Sequence, residues 1–185
     1  MRLPVGVDSW VIECCLEPPG VDDTVSWSLR FIEESRWGPR HQQERVELRA
    51  YATPLADWEG ATLDTWPVQL AAEGVAFYWE APHPVEPGPL IAAGHLVISH
   101  HGEAPENFPT TTATVVRVRM AGTMYTEDPP DSGSWRQVEP PDVEYTDLER
   151  APKWFPDTPE GPPPCRFLNA VIVDLGITKQ EAGAH

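Results

Sequence analysis

Cys14 and Cys15 stand side by side, His100 and His101 form a second adjacent pair, and His95 and Cys165 add one imidazole and one thiol. Thiolate and imidazole are the ligands zinc prefers, and four of them make a tetrahedral site. Zinc held by Cys14, Cys15, His100, His101 and Cys165, with His95 in reserve, is therefore one reading. The spacing argues against it. There is no C-x2-C and no H-x3-H, and neighbouring side chains on a strand diverge, so only one member of each pair could reach a common ion without a bulge. The expectation is no metal and no cofactor, with zinc as the alternative. The plainer reading makes one cysteine a small core residue and lets a histidine at a strand end hydrogen-bond the loop that follows.

The same residues admit a nucleophile. Cys15 could be activated by His101 or His100, with Asp8 or Glu103 orienting the base. A reactive thiolate needs an electropositive, partly open setting, and Glu13 and Glu17 flank the cysteines instead. No G-x-S-x-G, phosphate-binding loop or dinucleotide fingerprint is present. The carboxylate pairs Asp22-Asp23, Glu33-Glu34 and Asp128 with Asp131 lie in turn-like settings, where solvation keeps two pKa values from separating. A different chemistry comes from the aromatics. The chain has 8 Trp, and Trp10, Trp27, Trp58, Trp66 and Trp79, with Phe77 and Tyr78, are many for one small core. Trp10, Trp27 and Trp79 are the candidates for an aromatic, ligand-binding surface; the plainer reading has these rings capping the barrel ends under long loops.

The elements that must position these residues follow from periodicity. Thr24 to Ile32 alternates strictly, with Val25, Trp27, Leu29 and Phe31 apolar, and reads as a half-buried strand. Val5 to Leu16 reads as a strand before it, and the breakers from Glu17 to Asp23 make the two a hairpin. Glu44 to Leu55 and Val75 to Glu80 read as strands. Thr65-Trp66-Pro67 opens a helical turn that Gly74 closes. Leu90 to His100 and Thr110 to Met120 read as a second hairpin, with Val116, Val118 and Met120 on one face and Arg117 and Arg119 on the other. Residues 122 to 164, with ten prolines after Thr126, read as an irregular Pro-rich excursion pinned by Tyr125, Trp135, Tyr145, Trp154 and Phe155. Pro156 to Pro164 fits a polyproline II spacer or a groove ligand. Arg166 to Gly176 is the last strand and 177–185 a tail. The sum is one domain over 1–185, mostly β: a small antiparallel, partly open β-barrel, with a β-sandwich as the alternative.

The chain has 185 residues with 29 acidic and 13 basic side chains, a formal net charge of −16. Between Tyr51 and Val116 there is no Lys or Arg. Such a surface repels a phosphate backbone, which excludes general nucleic-acid binding. No apolar run is long enough for a membrane helix. The start lacks the apolar core of an export signal, and three cysteines are a poor disulfide framework. Bridging Cys14 to Cys15 would need a strained turn. Free thiols in the cytoplasm are the expectation. The acidity serves solubility, or a basic partner or cationic ligand.

Taken together, Val7-Asp8-x-Trp10, Cys14-Cys15, Val21-x-Asp23-x-Val25-x-Trp27-x-Leu29, His100-His101-Gly102-x-x-Pro105, Pro109-x-Thr111 and Val116-Arg117-Val118 resemble an uncharacterised actinobacterial family of small cytoplasmic proteins, known only as a domain of unknown function. The likeness covers residues 5 to 31 and 94 to 119. Leu16 stands where that family usually has Gly after the cysteines, and Asp22-Asp23 where it usually has Gly-Asp, so the chain resembles a divergent member. The resemblance implies a compact β fold and carries over no catalytic residue. The resulting expectation is a cytoplasmic binding or interaction module for a small molecule or protein; the alternative is a metal- or thiol-dependent enzyme built on Cys15 and His101.

Overall fold

The computed structural model describes residues 1–33, 44–55, 64–100, 102–139, 142–156 and 161–177. Among them one mixed sheet holds β1 (Arg2–Asp8), β2 (Thr24–Trp27), β3 (Leu29–Glu33), β4 (Val46–Pro54), β5 (Trp66–Ala72), β6 (Val75–Ala81), β7 (Gly88–Ile98), β8 (Thr111–Glu127), β9 (Trp135–Gln137), β10 (Val143–Leu148) and β11 (Cys165–Gly176), with one short helix, α1 (Ser9–Cys14).

The barrel is a closed ring of β3, β6, β5, β4 and β7. It is closed rather than partly open, and mixed, because β3 runs parallel to β6. Closure leaves no place for a sandwich. From β7 the sheet continues outward through β1, β11 and β8 to β10. β2 carries the chain from β8 back to the ring, since only Ser28 separates it from β3. The alternating apolar positions of both parts face one interior: Val5, Leu29, Phe31, Leu70, Phe77, Leu96, Val118 and Val173 belong to a single core cluster. No described helix is long and apolar enough to cross a membrane.

Several expectations are corrected. Val5 to Leu16 is half strand, half helix: Val11 and Ile12 are both buried, and a strand would have sent these neighbours to opposite faces. Neither expected hairpin forms. β1 pairs with β11 and β7, and β7 and β8 take different neighbours. The expected helical turn at Thr65 is β5, joined to β6 by a tight turn in which Glu73 (φ 52°) and Gly74 (φ 83°) both adopt the left-handed conformation of a type I′ hairpin. Val116 is exposed because the β8–β11 register shifts between Asp174 and Leu175, which oppose Arg117 and Val115; this bulge skips Val116 and moves Val115 and Ala113 to the core face. The stretch 122–164 is not irregular throughout. β8 runs on to Glu127, and β9 and β10 both pair with it. Trp58, His101, residues 157–160 of the Pro-rich spacer and residues 178–185 of the tail lie outside the described residues.

Candidate functional site

β1 and β7 run parallel, with Gly6 opposite Val97, so Asp8 and His100 leave the sheet at the same end. There α1 packs against β1 and β11. Its inner side buries Val11 and Ile12, which leaves Trp10 and Cys14, one turn apart, on the outer side. Trp10 is 45% exposed, and its ring lies 4.4 Å from that of His100. Asp8 precedes the helix in extended backbone and makes no side-chain cap.

His100 is held in turn. Its Nδ1 lies 2.8 Å from Oε2 of Glu103. The other carboxylate oxygen of Glu103 accepts from Arg30, which also donates to Glu80 at 3.0 Å. A chain of contacts thus runs from the helix to the outer face of β3 and β6. Tyr78, fully buried there, packs edge-on against Phe108. Burial holds its phenol far above the usual tyrosine range, and the Glu80 carboxylate adds to this. The loop 102–109 is fastened over that face by these contacts.

The far end of α1 is fastened as well. Cys15 and Leu16 both donate their amides to Val11 O at 3.0 Å. Lys153 Nζ donates to Ile12 O at 2.6 Å and Leu16 O at 3.1 Å, a cation on the carbonyl end of a helix. The Phe155 amide donates to Glu13 Oε1 at 2.8 Å. Trp154, between these two anchors, is 72% exposed. The turn that follows α1 is locked by Arg150, which donates to Pro18 O and to both carboxylate oxygens of Asp23; that guanidinium holds the Asp23 carboxyl below its usual range.

Cys14 and Cys15 are joined as a disulfide, and both are exposed. This corrects the expectation of free thiols and removes that support for a reducing compartment. The pair sits at a helix end, where the chain already turns, rather than on an extended strand. In this state Cys15 offers neither a nucleophile nor a metal ligand. Cys165 is a free buried thiol on β11 opposite Tyr125. Among the described residues no three of His, Cys, Asp and Glu gather into a metal-ligand group, and His95 is buried on β7 with Nδ1 against Glu44 O. Of the residues in that catalytic reading, His100 lies against Glu103, Asp8 makes no side-chain cap, and His101 lies outside the described residues.

The aromatic candidates separate. Trp10 is at the surface. Trp79 is buried in the ring, edge-on to Phe31, and Trp27 is partly buried against the core. Spacing missed Trp154, Lys153, Arg30 and Glu80. Arg30, a polar residue between Leu29 and Phe31 on a strand, marked the outer face, but nothing in the sequence tied it to Glu103. Of the carboxylate pairs, Asp128 lies against Arg136 and Asp23 against Arg150, and Glu34 lies outside the described residues.

A second charged cluster lies on the outer face of β8 and β11. Arg119 and Asp174, 3% and 1% exposed, pair at 2.9 Å. Glu44 closes on Arg119 and Arg2 on Asp174, and the Arg119 guanidinium lies 5.2 Å from the Tyr145 ring centre. The hydrogen bond from Arg119 holds the Glu44 carboxyl below its usual range.

The family model described as a family of unknown function, DUF6578, matches residues 1–177. The chain belongs to the DUF6578 family. Its match takes in α1, the strap from Lys153 to Phe155 and the whole sheet. No curated protein and no solved structure matches the chain.

Proposed function

We propose that this chain is a non-catalytic, cytoplasmic interaction module, and that its contact face is the α1 end of the sheet, where Trp10 and Trp154 stand exposed in an acidic setting. The observation that carries the reading is their anchoring. Trp10 rides on a helix whose inner side is buried, and Trp154 is held between two residues that both bond that helix. Rigid exposed tryptophans offer a large apolar surface at little entropic cost. Asp8, Glu13 and Glu17 lie in and beside α1, and Lys153 commits its ammonium to backbone carbonyls. A basic segment, its guanidinium groups against the indoles, is the partner this chemistry suits.

The test is a titration with a short Arg-rich peptide, followed by calorimetry at low and high salt. Binding that weakens with salt is expected, and Trp10→Ala or Trp154→Ala should each weaken it by about 30-fold, ~2 kcal/mol. Equal affinity for both variants and the parent would overturn the reading.

A further inference from the structure

The exposed Cys14–Cys15 disulfide lies between the two carbonyls that Lys153 grips, those of Ile12 and Leu16. One cation therefore spans the pair. Cys14 is the last residue of α1, and Cys15 caps it with φ −134° and ψ −20°. Joining adjacent cysteines closes a small ring through their shared peptide unit, so the backbone that presents Leu16 O to Lys153 depends on that ring. The same helix carries Trp10, and the same strap carries Trp154.

From this juxtaposition we propose that Cys14–Cys15 is a reversible, two-electron thiol–disulfide exchange site for low-molecular-weight cellular thiols, and that its state sets the arrangement of the strap 153–155 against α1. A thiolate of the small thiol attacks one sulfur of the pair. The S–S bond breaks, a mixed disulfide forms, and the other cysteine leaves as a thiolate that takes a proton. A second small thiol, as thiolate, attacks the outer sulfur of the mixed disulfide. It departs as the small disulfide, and the second cysteine is released and protonated. The protein gains two electrons and two protons, and two small thiols are oxidised to one disulfide; the reverse reaction consumes that disulfide. Because the resolving cysteine is the next residue, a mixed disulfide is always within reach of its own displacement. Disulfides of this kind in reducing compartments are transient and sensing rather than structural.

The experiment uses the intact chain, alkylated under native conditions before and after incubation with glutathione. Expected are no labelled cysteines before and two after, with Cys165 reacting only on denaturation. Labelling of Cys14 and Cys15 in air-equilibrated protein would overturn the proposal. Hydrogen exchange is then compared between the two states. Reduction should speed exchange at the amides of Cys15, Leu16 and Phe155 by at least about tenfold; unchanged rates would overturn the coupling to the strap. Cys14→Ser/Cys15→Ser should exchange alike with and without glutathione.

Its consequence for partner binding rests on the contact-face reading, and the two fail separately. If the Arg-rich peptide binds in neither state while exchange still responds to glutathione, the contact face is wrong and the redox site stands. If the peptide binds equally in both states, the control of that face is overturned.

Discussion

Arg119 and Asp174 show what single residues contribute here. A buried ion pair gains little over a well-packed apolar pair, yet removing Asp174 takes from the buried Arg119 its buried partner and leaves it only the half-exposed Glu44. Asp174→Ala should cost about 3 kcal/mol in urea unfolding, and the double change Arg119→Met with Asp174→Leu should lose far less. Tyr78 supports a pH prediction. Its folded-state pKa is raised, so the stability it contributes is complete below the ordinary phenol pKa and is lost as pH climbs above it. Thermal midpoints of the parent should therefore fall more steeply above pH 10 than those of Tyr78→Phe, which keeps the ring against Phe108. Equal slopes would show that another group governs the alkaline limb. At this scale the sequence was only partly legible. Residue type marked Trp10, His100 and Glu103, but it also marked Trp79, which the ring swallows. Whether an indole faces water depends on which strand lies opposite, and no local pattern contains that.

The elements were more legible than their partners. Period-two alternation located β3, β7, β8 and β11, because a half-buried strand must alternate whatever it pairs with. Pairing is another matter. Alternation names the buried face and is silent about the neighbour along the edge, so adjacent strands looked like hairpins where the chain crosses over instead. α1 was hidden because Val11 and Ile12 are β-formers by type, and burying both at once overrides that preference. Gly94 is a position at which the ring itself can be tested. It lies on β7 between Glu33 of β3 and Val46 of β4. A Cβ there would run into Ile32 O and come within 2.8 Å of the Phe31 ring. Gly94→Ala should destabilise the fold by about 2 kcal/mol, as overpacking does, read as a lower urea midpoint with the slope unchanged. No loss would mean the ring has slack at that corner.

The whole molecule is acidic enough for its net charge to be felt as self-repulsion. Raising sodium chloride from low to about 0.5 M should increase the thermal midpoint, since screening relieves long-range repulsion between like charges; a fall would show that the exposed Arg–carboxylate pairs outweigh it. The sheet's connectivity has a further consequence. β1 is the first strand made, yet its antiparallel partner is β11, at the other end of the described chain. β8 likewise takes β11 along its central stretch. A ribosome that has delivered everything up to residue 150 has produced two apolar strands with bare edges and nothing to lay between them. The ring can close early around β3 to β7, but the outer half must be shielded until synthesis is nearly over. Nascent chains of this protein should therefore depend on holding chaperones, and a stop codon ahead of Cys165 should yield inclusion bodies rather than a shorter working barrel.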